Sequence, residues 1–222
     1  QLLEYVRYTN RIPITQEFYP TPEEQKLYEL VSDYLQNEKL YALPPSQRSL
    51  MTLILRRLLA SSTYAISGTL EALANKLDTI ITEQTTENIQ LEETISDNYE
   101  EFDELKDEWT EDEESEDVKV YSQEEVEKIK EESNKLKEFF KLAYSIKKNS
   151  KGEVLLTALK RGFAEAEKLG ANRKAIIFTE STRTQKYLYE LLGQTEFAGK
   201  IVLFNGSNND KNSKEIYNQW FA

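Results

Sequence analysis

Cysteine and histidine are both absent from the 222-residue chain, and methionine occurs once, at Met51. Without cysteine there is no disulfide and no thiolate metal site. Without histidine the chain lacks the commonest general base and metal ligand near neutral pH. A Ser-His-Asp triad and a His-ligated zinc are therefore closed off. Glycine is sparse, with seven residues, and nowhere forms the G-x-x-x-x-G-K-[ST] loop that cradles phosphates. The D-x-[DN]-x-[DN]-G pattern of a calcium loop is also missing. No apolar run reaches the length of a membrane span, and no signal peptide is visible at the amino end. A cytoplasmic location is the resulting expectation.

Negative charge is abundant but concentrated. The formal charge is −12, yet Glu83 to Asp117 holds seventeen acidic residues against the single basic Lys106, a net −16 that leaves +4 for the remainder. One acidic block on a mildly basic chain does not exclude a nucleic-acid partner. Self-repulsion in the block opposes collapse and predicts a linker over 83–120. Leu91, Ile95, Tyr99, Phe102, Leu105 and Trp109 recur every three or four residues within it, a stripe suited to a helix that forms on docking. A solvated linker, an intramolecular DNA mimic and a docking tail for a basic partner are the three roles open to it.

Around the block the apolar periodicity is helical. Ile12, Ile14 and Phe18 share a face of a short strand in RIPITQEFY, with Pro13 marking an edge or a start. Thr21 and Glu24 form a capping box with Pro22 at the first helical position, and Leu27, Leu30, Val31, Tyr34 and Leu35 continue one apolar face. Pro44-Pro45 breaks the chain before a nearly all-apolar helix over 46–60. Ser61-Ser62-Thr63 reads as a break and re-cap, followed by the stripe Ile66, Leu70, Leu73, Leu77 and Ile80. Gly68 inside that stripe costs about 1 kcal/mol relative to alanine, so this helix depends on packing. A second capping box, Ser122 with Glu125, opens a long helix lined by Val126, Ile129, Leu136, Phe139, Phe140, Ala143 and Ile146. Leu155, Leu159, Phe163, Ala166 and Leu169 define another helix, ended by Gly170.

From Lys174 the pattern changes. Ala175 to Phe178 is short, β-branched and unalternated, as in a strand buried on both faces of a parallel sheet. Thr179-Glu180-Ser181-Thr182 then places hydroxyls at the strand's carboxyl end, where open α/β sheets hold their ligand loops. Tyr187, Leu188, Leu191 and Leu192 recur at helical spacing up to Gly193, and Ile201 to Phe204 makes a second strand closed by Asn205-Gly206. The fold class expected is mainly α with a partial α/β unit, an incomplete parallel βαβ sheet following a helical region.

IIFTESTRTQKYLYELL with KIVLFNGS resembles the start of the second RecA-like lobe of superfamily 2 helicases, in the bacterial Swi/Snf-type branch. The first strand and its hydroxyl loop are similar to motif IV of that family, and EFYPTPEEQKLYELVSDYL and LILRRLLASSTYAISGTLEALANKL resemble the helices linking the two lobes. The resemblance spans roughly 150 residues, leaves out the acidic block, and implies an ATP-dependent DNA helicase or translocase. On this expectation 1–20 trails the first lobe, 21–82 holds interlobe helices, 83–120 is the acidic insertion, 121–170 supplies long helices and 171–222 begins the second lobe. The chain is then a fragment, with no catalytic or metal-binding residue of its own. ATP and Mg²⁺ belong to the presumed parent, and duplex DNA and the remaining lobes are the partners. Unpaired strand edges need covering, by the chain's own helices or by a second copy in a homodimer.

By position in the family, Thr179, Ser181, Thr182 and Arg183 would donate hydrogen bonds to phosphate oxygens, with Asn205, Gly206 and Ser207 adding a further contact. The ordinary alternative is a helix cap at Thr182, a solvated Arg183 and a simple turn. Arg48, Arg56 and Arg57 are a second DNA-contact set, since the family's linker helices project beside the duplex; interhelix pairing or snorkelling is the competing role. The alternative for the whole chain is a stand-alone helical interaction scaffold with an acidic docking segment.

Overall fold

The computed structural model describes residues 13–37, 39–43, 48–83, 121–204, 214, 215 and 218. Six helices of twelve residues or more make up most of this: α1 Pro22–Leu35, α2 Arg48–Ser61, α3 Thr63–Glu83, α4 Gln123–Ser145, α5 Ser150–Lys168 and α6 Thr182–Gly193. The chain is mainly helical, and among the described residues no β-strand forms. No described helix is long and apolar enough to cross a membrane.

The helix ends follow from the capping residues. Thr21 N–H donates to Glu24 Oε2 at 2.7 Å and Glu24 N–H returns a bond to Thr21 Oγ1 at 3.2 Å. Ser122 and Glu125 repeat the arrangement at α4. Ser62 serves two helices. Its N–H donates to Leu58 C=O at 3.2 Å, closing α2, and its Oγ accepts from Ala65 N–H at 3.0 Å, opening α3. At the end of α5, Gly170 has φ +67°, with bonds from Gly170 N–H to Glu167 C=O and from Ala171 N–H to Ala166 C=O. That left-handed helix stop strains any residue with a β-carbon.

The core lies between α1, α2, α3 and α4. Leu27, Leu43, Met51, Ile54, Leu55, Leu58, Ile66, Leu70, Leu73, Leu77 and Ile80 are all but inaccessible, and each contributes about 1.5–3 kcal/mol of gross hydrophobic stabilisation. α3 and α4 run antiparallel. Tyr64 Oη donates to Lys147 C=O at 2.8 Å at one end, while Asp78 near the other end accepts from Ser133 Oγ at 2.7 Å and pairs with Lys137 at 2.7 Å. On α4, Ile129, Leu136, Phe139, Ala143 and Ile146 are buried as the stripe requires, and so is Glu132. Its carboxylate accepts from Tyr34 Oη at 2.8 Å and from the N–H groups of Tyr41 at 2.8 Å and Ala42 at 3.0 Å. Burial and the neighbouring Glu132 carboxylate push the Tyr34 phenol far above its ordinary 10.0, against a smaller opposing pull from Arg48.

Three sequence expectations are corrected here. Residues 13–20 are extended but solvent-exposed, so no buried strand face forms at Ile14 and Phe18; Ile12 lies outside the described residues. Residues 175–178 and 201–204 are extended without ladder partners, and Ile176 and Phe178 are 82% and 89% exposed rather than buried on two faces. A strand needs a neighbour on each side to satisfy its backbone, and these two segments do not pair with each other. The stripe of α5 is only half-buried, with Leu169 at 70% exposure and Gly152 the one buried residue. The acidic segment at 84–120 lies outside the described residues.

Candidate nucleic-acid interface

The start of α6 gathers three of the expected hydroxyls. Ser181, rather than Thr182, is the N-cap, and its buried Oγ accepts from Thr184 N–H at 3.4 Å. Thr179, Ser181 and Thr182 line an open cleft of about 270 Å³ together with Ile177, Phe178, Gln185 and Phe204. Gln185 Nε2 donates to Phe204 C=O at 2.6 Å, which ties the 201–204 segment to the same helix. A helix start directs its first N–H groups outward and carries a partial positive charge, so hydroxyls and amide groups face one concavity.

The helix behind the cleft is seated on the core by polar and aromatic contacts. Thr184 Oγ1 lies 2.7 Å from Ser62 Oγ and 3.0 Å from Ser61 Oγ. The Tyr187 ring stacks on Tyr64, centroids 4.4 Å apart and planes at 15°. Asn149 N–H donates to Tyr187 Oη at 3.2 Å. Gly152 makes room for that ring, because a β-carbon there would stand 2.5 Å from Tyr187 Oη. Burial, then the Glu190 carboxylate, raises the Tyr64 phenol; burial raises Tyr187, with the Asn149 N–H opposing. The α4–α5 connection is thus held by both tyrosines.

Glu24 extends this joint. Besides capping α1, its carboxylate accepts from Ser150 N–H at 2.8 Å and from Ser150 Oγ. Asn149, the N-cap of α5, makes no side-chain cap bond of its own. One carboxylate therefore closes the first turns of two helices.

Arg183, placed by sequence in the phosphate loop, points elsewhere. Its guanidinium lies against Gly68 of α3, in space a β-carbon would occupy. Arg48, Arg56 and Arg57 do not converge on one surface. The Nε of Arg48 is buried and its charge is felt at Tyr34, Arg57 is half-buried and Arg56 is exposed. Asn205, Gly206 and Ser207 lie outside the described residues. Periodicity gave no sign of the Thr184, Tyr187 and Glu24 contacts, which join residues far apart in the chain. Glu132 did leave a trace, as a polar pair with Ser133 where the α4 stripe skips from Ile129 to Leu136.

Comparison with protein-family models, with curated proteins and with solved structures returns no match.

Proposed function

We propose that this chain is the interlobe helical region and the beginning of the second RecA-like lobe of an ATP-dependent DNA translocase, and that the cleft at the start of α6 is part of its nucleic-acid track. One observation carries the reading. The hydroxyl-lined cleft opens at the start of a helix bolted to the interlobe core through Thr184 and Tyr187. Phosphate contacts of this kind, made by hydroxyls and helix N–H groups, position a backbone without reading sequence. A rigid seat for them is what a motor needs to convert lobe movement into displacement of DNA. On this reading the 175–178 and 201–204 segments are sheet strands, and Ile176, Phe178 and Phe204 are covered by the rest of the lobe. ATP and Mg²⁺ are held by the first lobe, which supplies the phosphate loop this chain lacks.

The test is fluorescence anisotropy of the chain with a short labelled DNA duplex at low salt. Replacing Thr179 and Thr182 together by alanine removes two hydroxyl donors and is expected to weaken binding roughly tenfold. In a polypeptide that adds the phosphate loop and the arginine finger, the same pair should lower DNA-stimulated ATP hydrolysis. Duplex affinity that neither variant nor salt alters removes the reading. A stand-alone helical scaffold is the second reading, favoured by the exposure of Ile176, Phe178 and Phe204; it foresees no duplex binding at all.

A further inference from the structure

The cleft at α6 has one conspicuous gap for a phosphate site. Hydroxyl, amide and apolar side chains line it, and none of those lining residues is charged. Yet an arginine stands at the second position of the same helix. Arg183 is directed away, onto a buried glycine of α3, where even a methyl group would overlap its guanidinium. Gly68 lies within a helix, where glycine costs about 1 kcal/mol relative to alanine. The slot it leaves is the physical reason Arg183 fits.

We propose that the seat on Gly68 is an autoinhibitory contact: it withholds the Arg183 guanidinium from the cleft, and a phosphodiester backbone entering the cleft competes with α3 for it. The inference rests on the nucleic-acid reading above. Docking of α6 does not depend on Arg183, because Thr184 and Tyr187 anchor the helix separately. Only side-chain torsions of Arg183 need change for the guanidinium to leave α3. The planar guanidinium fork matches two phosphate oxygens at once, so a bound backbone offers a charged partner in place of the α3 seat.

The proposal predicts a gain of binding from a mutation distant from the cleft. Gly68→Ala fills the slot and expels Arg183. Duplex affinity in the anisotropy assay should then rise roughly tenfold, and the slope of log affinity against log salt should steepen by about 0.9 for one added phosphate contact. Arg183→Ala should abolish that gain, so the double variant binds like Arg183→Ala alone. Gly68→Ala binding no more tightly than the unaltered chain, while Thr179 and Thr182 still matter, overturns the latch and leaves the track reading standing. Absence of duplex binding in every variant overturns both. A measurement on the unaltered chain covers a Gly68→Ala variant that fails to fold: the Arg183 Nε–H resonance should shift as duplex is added. A resonance that stays fixed while those of Thr179 and Thr182 move overturns the latch.

Discussion

Glu132 is the residue whose environment most constrains this molecule. It is buried on α4 and ties α1, through Tyr34, to the connection between α1 and α2, through the N–H groups of Tyr41 and Ala42. Lys76 Nζ donates to Ala42 C=O at 3.2 Å from the other side, so the backbone of this connection is satisfied by side chains of α3 and α4. Glu132→Ala strands two amide donors and a phenol in the interior and is expected to cost about 3–5 kcal/mol, read from urea unfolding followed by circular dichroism. Tyr34→Phe removes a single bond to the carboxylate and should cost about 1.5–3 kcal/mol. Tyr34 also sets an alkaline limit. Its folded pKa is raised above the ordinary 10.0, so above that pH the unfolded chain releases a proton that the folded chain keeps. The contribution is complete below 10.0 and is lost as pH rises past it. Tyr34→Phe should therefore flatten the fall in stability above pH 10.0, and an unchanged slope would show that burial of this phenol does not govern it.

Among the helices, α5 differs from the rest in how it is held. Its first residues meet Glu24 and Tyr187, whereas the body of the helix keeps an apolar face half open. Two glycines in this one helix make opposite predictions. At Gly162 nothing stands within 4 Å of a built β-carbon, so Gly162→Ala gains helix propensity and should stabilise by about 0.5–1 kcal/mol. At Gly152 the Tyr187 ring fills the space, and Gly152→Ala should cost about 1–3 kcal/mol through overpacking. Thermal unfolding of the two variants side by side reads this difference. Two shifts of the same sign would mean that Tyr187 is not packed against α5.

Across the whole molecule, burial is graded from one end to the other. α3 is buried on nearly every side over its first two turns, between α2, α4 and α6, while the 174–178 segment is exposed along its length. Amide exchange should be slowest in α3 and the middle of α4, and fastest in 174–178 and in α5 beyond Gly152. Deuterium uptake at equal rates in α4 and α5 would contradict that gradient. The same gradient explains which expectations held. Capping boxes at Thr21 and Ser122, the stop at Gly170 and the stripes of α1, α3 and α4 depend on neighbours within one or two helical turns, and all were legible. At the cleft, the grouping of Thr179, Ser181 and Thr182 was legible because the three lie within four positions of one another. Strand identity at 175–178 was not, since a strand is completed by partners that no local pattern supplies.

Local chemistry settled where the helices start, stop and present their apolar faces, because caps, φ preferences and a 3.6-residue repeat act over a few residues. Where the polar side chains at the joints would go was settled by packing. Glu132, Glu24 and Arg183 are each held by groups brought in from another helix. Arg183 shows the reason most clearly: its direction depends on a missing methyl group at Gly68, 115 positions away in the chain.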